Sequence, residues 1–573
     1  MTHSSDNAPL LPGQPSSSKG RSKPPFSRPS YRRRRSSFDA TVYNAGTVPW
    51  IKEDEPTSEV AQPVDQKGLS LGQILLLTLC MAGVQFTWTV ELSYGTPYLL
   101  SLELSKELTA LVWLAGPLSG LLVQPLIGAF SDKCTSRFGK RRPYIFVSGI
   151  LTCLSMLGVA YARDMADWIV ANGAYEGEES QKAARRQWAI IICVSSFYFL
   201  DFTLNAVQAI CRALILDIPP LWQQDRVNAW SARLSNTATV IGHFTGFMDL
   251  VHILPFFGDT QVKVFCVVAI IVFVTTLTIT SLTTKEQVQE PSPEDVDQPW
   301  YHTFAYIWKA FRFLPRPIQT LCNTQFFAWM GWFPFLFYST EWVSEIYFQT
   351  HPTDGSNPDE WARGTRAGSF AMLCYAITSV AAGVILPMLA TKDGASKHSI
   401  FSLKNIYTFG HVISAIALLS SFYVETVTGA TIVLTTMGIP WAIVLWIPFS
   451  LVGEYVSYED ERKKNPNNNT PADYGTVSDA NAPSSPLPKE ADEDQNQDEF
   501  DAGLILGVHN MYIVFPQFAV AIIAAVIFVV VGSVAPEDPA HPAKSGITYV
   551  LAFGGCMSMV AATVSRYIVR VVK

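Results

Sequence analysis

Long apolar stretches recur along almost the whole chain, and they constrain its fold more than any other feature. Each is about 20 residues long, the length that an α-helix needs to cross the hydrocarbon core of a membrane. We predict such helices near residues 72–98, 108–130, 143–162, 188–210, 229–250 and 262–284, and, after a hydrophilic connector, near 318–347, 367–390, 405–424, 428–452, 502–532 and 547–568. Because the helices divide evenly around the connector, we expect an all-α membrane protein of two pseudo-symmetric six-helix bundles.

The composition agrees with a membrane protein. Of the 573 residues, 49% are hydrophobic and only 16% are charged, whereas soluble domains carry about a quarter charged residues. The charges are concentrated in tails and loops, so the net charge of -7 does not describe one surface and gives no reason to expect nucleic acid. The cysteines have no metal-ligand spacing, and no phosphate-binding loop or Ser-His-Asp set is visible. We therefore expect neither an enzyme nor a bound cofactor or metal.

The polar segments suggest domain boundaries. Residues 1–67 are rich in Ser, Pro and Arg and are predicted to be a disordered tail. The N-terminal bundle is expected at 68–284, a cytoplasmic connector at 285–317 and the C-terminal bundle at 318–573. Residues 453–501, rich in Asn, Pro, Asp and Glu, are predicted to be a disordered acidic loop within the second bundle.

A dense basic loop between the second and third predicted helices sets the orientation. Loops rich in Lys and Arg stay in the cytoplasm, and most basic residues fall on the side of this loop. One loop on the other side, before the fourth predicted helix, is also basic, but the remaining loops outweigh it. Both termini are then predicted to be cytoplasmic. We interpret five residues in and beside the basic loop as a conformational gate: Asp132, Arg137, Gly139, Arg141 and Arg142.

The fourth predicted helix carries polar residues along one face. Asp201 and Arg212 are eleven residues apart, which is almost three turns at ~100° per residue and ~16 Å along the axis. Asn205 and Gln208 lie between them on nearly the same face. Such a stripe cannot face lipid, because nothing in hydrocarbon solvates it. We interpret it as a path for protons and substrate; a polar seam that holds helices together is the alternative.

The first predicted helix contains one acid, Glu91, near Trp88 and Gln85. Trp88 and Glu91 are three residues apart and are neighbours on one helix face. An aromatic ring beside a polar group suits a pyranose, whose CH groups pack on the ring while its hydroxyl groups bond the polar atoms. We predict that all three residues line a binding cavity, although Trp is also common as an anchor at membrane interfaces.

Polar residues in two later helices complete the candidates. Asn510, beside His509 in the eleventh predicted helix, is a further candidate for binding substrate. Glu341 and Glu345 lie at the end of the seventh predicted helix, where we expect water to solvate them.

Several separate motifs, in a consistent order, resemble one transporter family. They lie at Gly83–Tyr98, Gly116–Pro143, Leu200–Asp217, Met437–Phe449 and Gly507–Gln517. The chain resembles the sucrose–proton symporters of the glycoside–pentoside–hexuronide group, within the major facilitator superfamily, and the resemblance covers both halves. It implies a twelve-helix fold with a central disaccharide site.

The resemblance also implies roles for individual residues. The membrane-embedded acid of the family falls on Asp201, and its functional arginine on the same helix falls on Arg212. Glu91 stands where plant members usually have glutamine. In this respect the chain resembles the fungal and animal branch of the family. The acid of plant members in the seventh helix is replaced by Ser339, and the Arg-Glu pair that follows is reduced to Glu345.

We therefore expect a fungal carrier that brings disaccharide and H⁺ into the cytoplasm, with sucrose as the first candidate substrate and maltose and other α-glucosides as further ones. It would work as a monomer in the bilayer, in the plasma membrane or, as the alternative, the vacuolar membrane. Two other functions stay open: an uncoupled or vacuolar sugar facilitator or exporter, and a sugar sensor that does not transport.

Overall fold

The computed structural model describes residues 68–132, 134–173, 175–220, 223–286, 314, 316–351, 360–389, 401–464, 502–534 and 544–568. The predicted tail at 1–67, most of the predicted connector and residues 465–501 of the predicted acidic loop lie outside these residues.

Within the described residues the chain forms helices and no strand. The α-helices are α1 Leu71–Ser101, α2 Lys106–Val112, α3 Ala115–Asp132, α4 Arg142–Ala160, α5 Ala162–Ala171, α6 Glu178–Asp217, α7 Gln224–Phe247, α8 Leu250–Ile253, α9 Gln261–Thr283, α10 Arg316–Thr350, α11 Trp361–Leu389, α12 Leu403–Leu419, α13 Val427–Lys464, α14 Ala502–Val534 and α15 Gly546–Ser565. Each predicted membrane helix coincides with one of them, except that the second is divided between α2 and α3.

Ten stretches of the described helices are long and apolar enough to cross a membrane, judged by length and composition. The other two predicted spans are α7, with 24 residues, and α10, with 35 residues. Both exceed the length of a membrane crossing, but they carry more polar residues. The helix α10 is mostly buried between other helices, whereas α7 also exposes Ile241, Phe244 and Phe247 on the outer surface.

Two helices extend well past the predicted spans. The helix α6 has 40 residues, which gives a length of ~60 Å, about twice the thickness of the hydrocarbon core. The helix α13 continues to Lys464, so the first residues of the predicted acidic loop are helical. Polar residues extend α6 mainly before its apolar segment and α13 after its apolar segment, which periodicity within the membrane cannot reveal.

The helices pack in two sets that meet along one interface. In the first half of the chain, α1 to α9, the central α1 packs against α7 and α9, and α3 and α4 pack against α6. In the second half, α10 to α15, α10 packs against α15, and α11 against α13. The halves meet where α7 packs on α11, α2 and α3 on α14, and α1 on α10. Side chains such as Phe146, Phe199 and Ile416 are exposed on the outer surface, as lipid-facing residues would be.

Small residues allow the closest helix contacts. A Cβ atom placed on Gly331 of α10 would lie 2.9 Å from the carbonyl oxygen of Gly554 in α15, and one on Gly554 would lie 3.0 Å from that of Gly331. The two backbones therefore touch, as is typical of helices that pack within a membrane.

Candidate functional site

Two acids occupy the interior of the first half. Glu91 on α1 is 3% exposed, and Asp201 on α6 is 1% exposed. Their carboxyl groups are close enough to interact electrostatically. None of their four oxygen atoms has a hydrogen-bond partner of normal geometry within the described residues. The sequence located both acids separately, and the packing of α1 against α6 brings them together.

The amide of Asn205 joins α6 to α3. Its Nδ2 donates to Ser119 Oγ at 2.6 Å and to the carbonyl oxygen of Asp201 at 2.9 Å, while its Oδ1 accepts from Gln124 Nε2 at 2.8 Å. These bonds use both ends of the amide. Asn205 therefore holds in place the turn of α6 that carries Asp201. Because both its amide nitrogen and its amide oxygen are already hydrogen-bonded, we do not expect Asn205 to bind a large ligand.

Gln208 and Trp88 join α6 to α1. The indole Nε1 of Trp88 donates to Gln208 Oε1 at 3.0 Å, and both side chains are buried. This bond fixes the orientation of the indole ring. Arg212, on the same helix, is half-buried, and the half-buried Gln85 accepts a hydrogen bond from Thr89 through its backbone oxygen at 2.9 Å. The side chain of Asn510 on α14 lies outside the described residues.

A small cavity lies between the two halves beside the acid pair. It contains about 330 Å³ of empty space, part of which is open to solvent. Asp201, Asn205 and Trp88 form part of its wall, as the sequence predicted, whereas Glu91, Gln85, Gln208 and Arg212 are not in that wall. The complete lining is Trp88, Leu92, Trp113, Gly116, Asp201, Asn205, Phe337 and Gln517.

The second half contributes two cavity residues that sequence reasoning missed, Phe337 on α10 and Gln517 on α14. Gln517 ends a motif that supported the family resemblance, which was the only sequence signal for it. Phe337 sits in a run of aromatic residues, so nothing distinguishes it before the helices are packed. Its ring stacks on that of Trp113, with centroids 4.2 Å apart and planes 10° apart.

This stack closes one end of the cavity. Trp113 Nε1 donates to Thr96 Oγ1 at 3.0 Å, and Thr96 Oγ1 donates to the carbonyl oxygen of Phe337 at 2.7 Å. We call the stacked rings of Trp113 and Phe337 the aromatic seal. Together with Thr96, this seal connects three parts of the chain: α1, α10 and the residues that follow α2. It lies toward the far end of the helices, which is the end opposite the basic loop.

Ion pairs join the two halves at the same far end. Lys106 Nζ of α2 lies 2.5 Å from Glu345 Oε1 of α10 and donates to Ser545 Oγ at 3.4 Å. Asp249, in the turn after α7, pairs with Arg366 of α11. We call these two ion pairs the far-end latch. Glu345 lies at the far end and stays partly exposed, as expected, but packing also places a lysine opposite it, which the sequence of α10 could not show.

The predicted gate residues are anchored at the opposite end. Arg141 is 1% exposed, and its Nε donates to Asp217 Oδ2 at the end of α6 at 2.9 Å. The backbone N–H groups of Arg141 and Arg142 donate to the carboxylate of Glu286, just after α9, at 2.8 and 3.2 Å. The carboxylate therefore clamps the start of α4.

The other gate residues differ in their surroundings. Gly139 has φ +104, a conformation that favours glycine, and a Cβ atom there would lie 2.5 Å from Glu286 Oε2. Arg137 is exposed, with its guanidinium 4.8 Å from the centroid of the Phe138 ring. The side chain of Asp132 lies outside the described residues. The loop thus ties together α3, α4, α6 and the end of α9.

The chain is similar in sequence to known sugar transport proteins. The family described as MFS/sugar transport protein matches residues 78–333. A general alpha-glucoside permease of Schizosaccharomyces pombe is 28% identical over 588 residues, covering 90% of this chain and 96% of the relative. The sucrose transport protein SUT2 of Oryza sativa subsp. indica is 28% identical, covering 67% of this chain and 80% of the relative.

Solved structures of transporters share the fold. A nucleoside transporter, NupG, aligns with a TM-score of 0.52 at 12% identity, covering 87% of this chain and 100% of that one. A D-xylose-proton symporter aligns with a TM-score of 0.50 at 14% identity, covering 87% and 98%. At these identities the likeness concerns the fold alone, and it agrees with the helical architecture predicted from the sequence.

Proposed function

We propose that this chain is a sugar transporter like the relatives it resembles, and that it imports disaccharides together with protons by alternating access. The matching family and relatives are sugar transport proteins, and ten stretches of the described helices could cross a membrane, which supports a multi-pass membrane sugar transporter rather than an enzyme. The observation that carries the finer proposal is the pair of buried acids, Glu91 and Asp201, beside a cavity between the two halves.

The acid pair supplies the proton site. Two carboxyl groups that are close together and shielded from water cannot both ionise at low cost, because like charges repel and neither is solvated. The pair therefore holds at least one proton when the cavity is closed. Asp201 reaches the cavity wall, so its protonation state and the occupancy of the cavity are coupled.

The cavity supplies the sugar site. The ring of Trp88, held in place by Gln208, offers an apolar face to a pyranose, and Asp201 offers oxygen atoms to its hydroxyl groups. The similarity to an alpha-glucoside permease and to a sucrose transport protein supports a disaccharide built on an α-glucoside. Sucrose is the first candidate substrate, followed by maltose.

Orientation follows from the basic loop. Loops rich in Lys and Arg stay in the cytoplasm, so we place the end with Arg141 inside the cell and the latch end outside. The aromatic seal and the far-end latch then close the site to the outside, and the structure corresponds to a state closed outward. We place the carrier in the plasma membrane, where import from an acidic medium would use the inward proton gradient.

Replacing Asp201 with Asn tests the coupling. The amide keeps the size of the side chain but cannot exchange a proton. In proteoliposomes with an acidic exterior, we expect the wild type to accumulate radiolabelled sucrose above its outside concentration and Asp201→Asn only to equilibrate it. Asp167→Asn, which removes an exposed carboxylate paired with Arg185 at 3.4 Å, is the matched control. Accumulation by Asp201→Asn at the control level would show that Asp201 does not couple transport to protons.

A further inference from the structure

Gln517 is the one cavity residue whose polar side chain comes from the second half. It lies on α14 and is 6% exposed. Within the described residues its side-chain amide makes no hydrogen bond, whereas the amide of Asn205, which lines the opposite wall, is engaged at both ends. A buried amide without partners is unfavourable unless a ligand supplies them. Gln517 therefore has both a donor and an acceptor available to the cavity.

The helix contacts place Gln517 at the depth of Asp201. A Cβ atom on Gly120 of α3 would lie 3.9 Å from Val514 of α14, so these residues mark one level of the α3–α14 contact. The two helices run in opposite directions. Gly116 is about 6 Å from this level along α3, and Gln517 is about 4.5 Å from it along α14, both toward the far end.

Gly116 also marks the level of Asp201. A Cβ atom on Gly116 would lie 3.7 Å from Asp201 Oδ1. Asp201 and Gln517 therefore lie at similar depth beside the face of α3 that carries Gly116 and Gly120, and both residues line the cavity.

Trp88 and Asp201 line the cavity from the first half of the chain, and Gln517 lines it from the second half. The helices α6 and α14 both pack against α3, and packed helix axes are about 8–10 Å apart. A ring stacked on Trp88 and bonded to Asp201 leaves Gln517 to a second ring.

We propose that Gln517 is a specificity-determining residue that hydrogen-bonds a hydroxyl group on the second ring of the disaccharide. The assignment rests on the proposed function. It makes Gln517 the contact by which the carrier distinguishes two-ring α-glucosides from single-ring ones. Because the first ring is held by the first half and the second ring by the second half, a two-ring ligand also ties the halves together.

Competition by sugars of different length tests this assignment. Sucrose, maltose and methyl α-D-glucoside, which has one ring, are compared as ligands of the purified full-length protein by quenching of tryptophan fluorescence, since Trp88 and Trp113 line the cavity. We expect Gln517→Ala to weaken both disaccharides about tenfold, equal to about 1.4 kcal/mol, and to change methyl α-D-glucoside less than twofold. Ile522→Ala, on the exposed surface of the same helix, should bind all three like the wild type.

Gln517→Glu provides a second measurement, because it keeps the size and the acceptor but loses the N–H donor. We expect the same selective loss for disaccharides with this variant, including the case in which Gln517→Ala is not produced in folded form. An equal loss for all three sugars, or no loss, would overturn the assignment. This binding assay needs no proton gradient, so a failure of proton coupling in the Asp201→Asn experiment is a separate result.

Discussion

Loss of the far-end latch should open the cavity to the outside. The latch consists of two partly exposed ion pairs: the side chains of Lys106 and Glu345 are 37% and 18% exposed, and those of Arg366 and Asp249 are 24% and 40% exposed. Exposed pairs contribute about 0.2–1 kcal/mol each. Removing both with Asp249→Asn and Glu345→Gln should therefore cost the closed state about 0.4–2 kcal/mol, a shift of about 2- to 30-fold toward the open state.

A cysteine in the cavity wall reports this shift. Leu92 lines the cavity, so Leu92→Cys should react with a membrane-impermeant thiol reagent added outside only when the far end opens. We expect its labelling rate to rise about 2- to 30-fold in the double variant. Exchanging the two charges of one pair, with Asp249→Arg and Arg366→Asp together, keeps that ion pair. This variant should therefore be labelled more slowly than the double variant. An unchanged rate in the double variant would refute the view that these pairs hold the far end closed.

The pH dependence of the latch follows from Asp249. Partial burial alone would raise its pKa, but hydrogen bonds from Arg366 and His252 outweigh that effect and hold the pKa below its ordinary value. An acid with a lowered pKa loses its stabilising effect only as the pH falls through that lowered value. The difference in labelling between the wild type and Asp249→Asn should therefore be the same at pH 7 and pH 5. It should shrink only below about pH 4; a difference that disappears by pH 5 would contradict the assignment.

Two further substitutions test the acid pair and its helix. Glu91→Gln keeps the size of the side chain and a hydrogen-bond acceptor but leaves Asp201 as the only acid of the pair. We therefore expect normal expression, with a changed pH profile of uptake or a changed ranking of sucrose and maltose. If both the pH profile and the ranking stay the same, Glu91 has only a structural role. Arg212→Lys keeps the charge but loses the planar fork, and we expect uptake to fall about tenfold or more while the protein still reaches the membrane; uptake at the wild-type rate would exclude a role for the guanidinium.

The membrane helices and the buried acids could be predicted from the sequence because each is recognisable within a single helix. A long apolar run indicates a membrane helix, and a charged side chain within it carries a free-energy cost of burial. An acid in an apolar run, such as Asp201 or Glu91, stands out whatever surrounds it. The face of α6 was also predicted from spacing. What the amides on that face contact could not be predicted: Asn205 and Gln208 bond mainly to neighbouring helices, and so serve the polar seam that was the alternative interpretation.

Residues whose roles depend on contacts between the two halves could not be predicted from the sequence. Gln517 is an ordinary amide in an apolar helix, and Trp113 and Phe337 are ordinary aromatic residues until their rings stack. The pairing of Glu345 with Lys106 joins residues far apart in the chain. No periodicity within one helix carries this information, because it arises from how helices of the two halves pack.

Direct measurement of proton movement driven by sugar tests whether the Glu91–Asp201 pair couples sugar transport to protons. Proteoliposomes containing the purified protein and an internal pH-sensitive dye, with equal pH on both sides, receive external sucrose. We expect an acidification of the interior that follows sucrose entry at a fixed ratio and is absent with Asp201→Asn. Sucrose entry through the wild type without any change in internal pH would contradict proton coupling through the Glu91–Asp201 pair.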